Sequence, residues 1–260
     1  MDLGLTDHSF LVTGGSAGLG KAGAQCLVQE GARVLIASRD EEAVHAAVDD
    51  LGPDNAVGIA ADIGEEPTAE RVVAAAVARF GRLDGALISV GGPPPASALM
   101  ATDEMWRESF ETVFLGALRV ARAVASAMDH RTENFTGSGP SILFVLSTSA
   151  KVPIPGLAIS NGLRPGLAMV IKDLADELGP RGIRVNGIMP GRFATDRTFA
   201  LDARTGSPDS NRRRAEASIP LARYGEPEEF GRVAAFLLSP AASYITGTVV
   251  AVDGGSLRTA

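Results

Sequence analysis

The sequence predicts an α/β fold, a parallel sheet with helices packed on both of its faces. Three observations carry that prediction. Short apolar runs alternate with longer Ala/Leu/Val-periodic runs along the whole chain, the signature of repeated strand–helix–strand units. Of the 260 residues, 45% are hydrophobic but only 5% aromatic, so the core must be Ala, Val, Leu and Ile, which suits strands buried on both faces. A Gly-rich turn, Thr13-Gly14-Gly15-Ser16-Ala17-Gly18-Leu19-Gly20, separates the first apolar run from the first helical one. No linker and no repeat of solenoid period interrupts the pattern, so one domain over 1–260 is expected.

The first strand is placed on Phe10-Leu11-Val12 and the first helix on Lys21 to Glu30. A second strand, Arg33 to Ser38, and a helix from Glu41 to Leu51 follow, closed by Gly52-Pro53. Ala56 to Ala60 reads as strand, Glu66 to Phe80 as helix, and Gly85 to Val90 as strand. Gly91-Gly92-Pro93-Pro94-Pro95 ends that strand, and one long helix is assigned to Asp103–Met128. His130 to Pro140 is polar and Gly/Ser-rich, a surface loop by composition. Ser141 to Leu146 is the fifth strand, leading into Ser147-Thr148-Ser149. Pro165 lacks an N–H and disfavours helical backbone at Arg164. The next helix is therefore placed at Leu167–Leu178, with a kink or late start at the proline and the Asn161 carbonyl short of its helical donor. Ile183 to Ile188 is a strand, Thr198 to Ser218 is polar and Arg-rich, Glu226 to Leu238 is a helix, and Thr248 to Val252 is the last strand.

A strand, a Gly-rich turn and a helix are what a dinucleotide pyrophosphate requires. Gly14 permits the tight turn, Gly18 lets the backbone approach the phosphates, and Gly20 lets helix and strand pack closely, while the helix's N-terminal N–H groups face the anion. Arg39 directly follows the second strand, with no acidic residue at Ala37 or Ser38. An arginine there favours a ribose 2′-phosphate, so NADP(H) is expected over NAD(H). The alternative for Arg39 is a surface pair with Asp40 or Glu42.

Net charge -7 argues against a nucleic-acid partner. The single cysteine, Cys26, excludes an internal disulfide and reads as a small buried hydrophobe. His8, His45 and His130 show no metal spacing. Nothing reads as a signal peptide or membrane span, so a cytoplasmic protein is expected and the Asn134-Phe135-Thr136 sequon is incidental.

Over nearly its full length the chain resembles the short-chain dehydrogenase/reductase family. Thr13 to Gly20 matches that family's Thr-Gly-x-x-x-Gly-x-Gly, Asp62 its acidic residue after the third strand, and Pro190-Gly191 with Thr195 its Pro-Gly-x-x-x-Thr segment. Ile183-Arg184-Val185-Asn186 and Val252-Asp253-Gly254-Gly255 are also similar. The resemblance implies a Rossmann-type doubly wound parallel sheet and a nicotinamide nucleotide cofactor. The site would draw on Gly14, Ser16, Gly18, Leu19 and Gly20, with Asp62 at the adenine and Ile63 beside it. Gly91, Pro190, Gly191 and Thr195 would border the nicotinamide. It also implies a homotetramer, with the Asp103–Met128 helix and the helix after Ser147 at interfaces, and a substrate lid at about 196–218.

The catalytic positions depart from the family. Its Ser is matched by Ser147, but its Tyr falls on Ser160, its Lys on Arg164 and its Asn on Val113. Of the Asn-Asn-Ala-Gly segment only Gly91 is kept. A tyrosine is an acid with a free pKa near ~10, tuned by the neighbouring ammonium; a serine hydroxyl donates hydrogen bonds but does not release its proton. Arg164 can hold ribose hydroxyls but cannot relay protons as a lysine does. Tyr224 and Tyr244 stand far along the chain. Lys151 is the titratable nitrogen on the loop after Ser147, either a solvated lysine or the acid or relay. Arg204, Arg212, Arg213 and Arg214 of the lid region read as a solvated face balanced by Glu216, Glu226, Glu228 and Glu229; a phosphate- or carboxylate-binding lid is the alternative. The function expected is NADP(H)-dependent oxidation or reduction of a small alcohol or carbonyl. Ser147 would hold the carbonyl oxygen, Ser160 would be a second donor, and the proton would come from Lys151, water or the substrate. The alternatives are an NADP-binding sensor or scaffold without turnover and, on family likeness alone, a 3-oxoacyl-carrier reductase.

Overall fold

The computed structural model describes residues 2–128, 139–204 and 206–259. Its strands are β1 (Ser9–Thr13), β2 (Arg33–Ser38), β3 (Ala56–Ala60), β4 (Gly85–Ile88), β5 (Ser141–Val145), β6 (Arg184–Pro190) and β7 (Val249–Val252). They form one wholly parallel sheet in the order β3-β2-β1-β4-β5-β6-β7. Strand order therefore reverses between β1 and β4, which opens a crevice at their C-terminal ends. The expected doubly wound Rossmann-type sheet is present.

Side chains alternate between the two faces. Leu11 and Ile88 pack with Val72 and Phe80 of α3 (Thr68–Phe80), Val120 and Val124 of α5 (Gly116–Met128), and Leu167 and Ile171 of α6 (Ala158–Leu178). Phe10, Val12 and Leu87 pack on the other face with Leu27 of α1 (Gly18–Gln29), Val44 of α2 (Glu41–Leu51) and Phe230 of α9 (Pro227–Leu238). Cys26 is buried in this second layer, as its small apolar character implies. Edge strands β3 and β7 are only partly covered.

Two helices differ from expectation. The helix after Ser147 begins at Ala158, not Leu167, and runs unbroken through Pro165 to Leu178. Ile159, Leu163, Leu167, Ile171 and Leu174 form one buried stripe along it. Burying a Leu or Ile contributes roughly 1.5–3 kcal/mol. Ile159 and Leu163 together thus offset the roughly 3 kcal/mol that a mid-helix proline costs. The long helix is interrupted: α4 (Asp103–Ser109) passes into a π turn (Phe110–Leu115) before α5 begins. Thr112 is the local cause, because its hydroxyl donates back to the Glu108 and Ser109 carbonyls at 3.0 and 3.5 Å, competing with the backbone ladder. Gly162 and Gly166 of α6 leave room for Trp106 and Phe114: a Cβ would lie 2.6 and 3.0 Å from those rings. The region from Thr198 to Ser218 holds most of α7 (Asp196–Asp202) and all of α8 (Pro208–Ser218). Of the expected loop His130–Pro140, residues through 138 lie outside the described residues.

Arg184, at the start of β6, is a buried cation with a structural task. Its guanidinium donates to the carbonyls of Leu237 and Ser239 at 2.8 and 3.0 Å and of Ile245 at 3.3 Å. It thereby caps the C-terminal end of α9, where the helix dipole is negative. Burial pushes its pKa down to about 10, so it remains charged at neutral pH.

Two stability tests follow from these contacts. Pro165→Ala restores an N–H opposite the Asn161 carbonyl and should stabilise the fold by about 1–3 kcal/mol in chemical denaturation; a loss would show that the proline is needed for packing. Arg184→Met leaves buried carbonyls unpaired and should destabilise by about 2–4 kcal/mol, read as a lower denaturation midpoint at unchanged m-value.

Candidate active site

The crevice at the reversal is held by hydrogen bonds that join three strand ends. Gly14 N–H donates to the Ala37 carbonyl at 2.7 Å, and the Thr13 hydroxyl donates to the Ser89 carbonyl at 2.8 Å. Gly14 has φ 59°, and a Cβ there would lie 2.8 Å from the Ser89 oxygen. A Cβ on Gly20 would overlap the Gly14 carbonyl. These two glycines let the loop fold back over β1 and let α1 start directly above it.

The N-terminus of α1 has no side-chain cap and no acidic residue in its first turn. Asp40, Thr102 and Thr195 cap α2, α4 and α7, while α3, α6 and α8 start, like α1, without a side-chain cap. Gly18, with φ 53°, faces Thr195, whose methyl lies 3.9 Å from where a Gly18 Cβ would be. A cleft of about 250 Å³ lies here, lined by Gly18, Lys21, Thr195 and Asp196. Free N–H donors at a helix start beside a cleft suit a pyrophosphate, and Lys21 and Asp196 add one charge of each sign to the lining. Leu19 packs beneath, against the α1–α9 layer.

At the end of β2 the Ser16 hydroxyl donates to Ser38 Oγ at 2.9 Å. Arg39 is exposed and, among the described residues, makes no ion pair; Asp40 instead accepts from Ala43 N–H at 3.0 Å. The surface pairing considered for Arg39 is therefore not formed. Asp62 accepts from Gly64 N–H at 2.9 Å, which shapes the loop after β3. The Ile63 carbonyl of that loop would lie 2.5 Å from a Cβ on Gly116. Gly91 is exposed with open space where a side chain would go. Pro190 ends β6, and Gly191 N–H donates to the Val252 carbonyl at 2.9 Å.

Ser147 follows β5, half-buried, and its Oγ accepts from Ser149 N–H at 3.1 Å. Ser160 is buried and shares a 2.9 Å hydroxyl–hydroxyl bond with Ser149. Ser149, not singled out in the sequence, thus links α6 to the Ser147 loop. Lys151 is exposed and closes that short turn. Val113 is buried in the π turn among core side chains.

Arg164 is 4% exposed and donates from Nη1 to the Val145 carbonyl at 2.7 Å, while its Nε has no partner. Burial first, then the positive charge of Arg197, pushes its pKa down to about 10. Arg197, at the start of α7, reaches across the site mouth to donate to the Pro93 carbonyl at 3.2 Å. Its guanidinium lies where a Gly92 Cβ would be. Sequence reading missed Arg197 because 104 positions separate it from Pro93.

Tyr224 is buried and donates to Asp202 at 2.8 Å; burial and that bond raise its pKa. Arg192 pairs with the same Asp202 at 2.6 Å. Tyr244 is fully exposed. Arg212 pairs with Glu216 at 2.8 Å, and α8 buries none of its described residues, so the solvated reading of the lid arginines fits the geometry.

A family model described as enoyl-(acyl carrier protein) reductase matches residues 14–256. The chain is 33% identical to an L-rhamnose 1-dehydrogenase (NAD(P)(+)) of Azotobacter vinelandii, covering 96% of this chain and 97% of that protein. The L-sorbose reductase of Gluconobacter frateurii, solved with NADPH and L-sorbose, superposes with a TM-score of 0.92 at 28% identity over 100% of both chains. A 3-ketoacyl-(acyl-carrier-protein) reductase of Brucella melitensis, solved with NADH, gives 0.88 at 30% identity, covering 97% of this chain and 99% of that one. With the sheet order, the glycine loop and these likenesses together, the chain belongs to the short-chain dehydrogenase/reductase family.

Proposed function

We propose that this protein is an NADP(H)-preferring oxidoreductase of a small carbonyl or alcohol whose proton does not come from a tyrosine. The observation that carries the reading is the uncapped start of α1 facing Thr195, with Ser147 on the same C-terminal edge of the sheet. The α1 N–H groups and Thr195 would hold the pyrophosphate, and Asp62 with Ile63 would border the adenine. Gly91, Pro190 and Gly191 would flank the nicotinamide end. Arg39, exposed and without an ion pair beside the Ser16–Ser38 bond, would take the 2′-phosphate. The relatives solved with NADPH and with NADH show that this fold serves both nucleotides, so the preference rests on Arg39. The reading includes a cytoplasmic homotetramer, by family likeness.

The nicotinamide nucleotide supplies or accepts the hydride when bound. The chain's own contribution is orientation and charge. Ser147 Oγ holds the substrate oxygen, and its position is fixed by Ser149 N–H. Ser160 holds Ser149, and so acts on Ser147 through it. Water would deliver the proton, since Lys151 is exposed and Tyr224 is committed to Asp202.

A second reading, an NADP-binding sensor or scaffold without turnover, is favoured by Ser160 and Arg164 standing at the Tyr and Lys positions. Turnover on a ketone panel with NADPH separates the two.

Three variants test the site. Arg39→Asp should weaken NADPH by roughly 10- to 100-fold, the worth of a charged hydrogen bond, and leave NADH nearly unchanged in fluorescence titration; equal wild-type affinities contradict the assignment. Ser147→Ala should lower kcat by roughly 10²–10³-fold, as loss of an oxyanion donor does. Lys151→Ala should stay within a few-fold of wild type with the same pH profile; a loss of about 10²–10⁴ would instead make Lys151 the general acid.

A further inference from the structure

We propose that Arg119, held by Glu111 across the π turn, is a positioning residue for the adenine end of the nucleotide site. It fixes the loop after β3 in the form that lets the Asp62 carboxylate meet the purine. This inference rests on the oxidoreductase reading above, which puts the adenine beside Asp62 and Ile63, and it adds a residue of α5 that acts on the nucleotide only through that loop.

Asp62 is half-buried, and its Oδ1 accepts from Gly64 N–H at 2.9 Å. Its other oxygen takes no hydrogen bond from a described residue. Where that oxygen stands therefore depends on where Gly64 stands. Gly64 is set by the π turn and α5. Arg119 Nη1 donates to the Gly64 carbonyl at 3.1 Å. A Cβ on Gly64 would lie 2.8 Å from the Thr112 methyl, and the Ile63 carbonyl would lie 2.5 Å from a Cβ on Gly116. Thr112, Gly116 and Arg119 thus converge on two successive loop residues.

Arg119 is itself held. Its Nη1 also donates to Glu111 Oε2 at 3.0 Å, a contact that spans eight positions. In an unbroken α-helix side chains meet at i+3 and i+4. Two α turns take about 7.2 residues, so a partner at i+8 has rotated off the face. The π turn removes the mismatch. Gly116 N–H bonds to the Glu111 carbonyl, five residues back, where an α turn would bond four back. One α turn and one π turn together take about 8 residues, which brings Glu111 and Arg119 into line. Thr112 opens that turn with its hydroxyl and abuts Gly64 with its methyl. Glu111 is 49% exposed, and an ion pair with an exposed partner contributes little to stability. Variants of either residue should therefore fold.

The test measures purine discrimination rather than turnover. NADP⁺ and its hypoxanthine analogue, in which a carbonyl oxygen replaces the 6-amino group, are titrated calorimetrically onto the wild type, Arg119→Ala, Arg119→Lys and Glu111→Ala. Amide hydrogen exchange in the loop after β3 is followed on each protein without nucleotide. The wild type should prefer NADP⁺ by roughly 3- to 10-fold, the worth of one hydrogen bond. Arg119→Ala should abolish that preference and speed exchange in the loop. Arg119→Lys, which keeps a donor, should restore most of it, and Glu111→Ala should fall between. If Arg119→Ala keeps the wild-type ratio, even with both nucleotides weakened, the arginine serves the fold alone and the proposal falls, while the adenine stays beside Asp62. If the wild type binds the two nucleotides alike, the adenine placement is overturned and the proposal with it. A wild type that binds neither overturns the nucleotide reading as a whole.

Discussion

Everything in this molecule depends on the backbone seam where β1, β2 and β4 end. Gly14 bonds to Ala37, Thr13 to Ser89, and Gly20 gives way to the Gly14 carbonyl. That seam is possible because the strands are parallel and buried on both faces, so helices must cover each side and the strand order must reverse somewhere. At the reversal no helix can bridge the gap, and the crevice stays open. The functional groups then come from strand ends and the loops after them. Thr195, Ser147, Arg39 and the start of α1 are far apart in the chain and share one edge of the sheet.

Charge is handled differently on the two sides of that crevice. Beside α1 the protein presents backbone donors and leaves them without a side-chain cap. Beside β5 it presents guanidinium groups and few acceptors. Arg184 is equally buried in cost but settled by three carbonyls at the end of α9. Asp202 is settled by Arg192 and Tyr224. Arg164 and Arg197 each have one carbonyl acceptor, those of Val145 and Pro93. On the proposed reading Ser160 and Arg164 stand where the family's Tyr and Lys would be, so the acid would be lost and a guanidinium would take the place of a tunable amine.

Much of this was legible in the sequence because it is local. The glycine loop, the alternating runs and the strand-end Arg39 are contiguous signals, and the sheet forms where they place it. What was misread was decided by packing. The rule that proline delays a helix is a local rule, and the buried stripe from Ile159 to Leu174 overrides it. The π turn at Phe110–Leu115 depends on one threonine bonding back to its own helix, which no periodicity reveals. Ser149 was within view but looked like a loop serine until its bond to Ser160 was seen. Arg197 was hidden among the charged residues that follow Thr195. Only the fold brings it to Pro93.

The most direct test of the account is a crystal structure with NADP⁺ and a small ketone. The account predicts the 2′-phosphate at Arg39, the pyrophosphate over the start of α1 opposite Thr195, and the substrate oxygen on Ser147 Oγ. A 2′-phosphate lying away from Arg39, or a pyrophosphate bound elsewhere than at the start of α1, would contradict it.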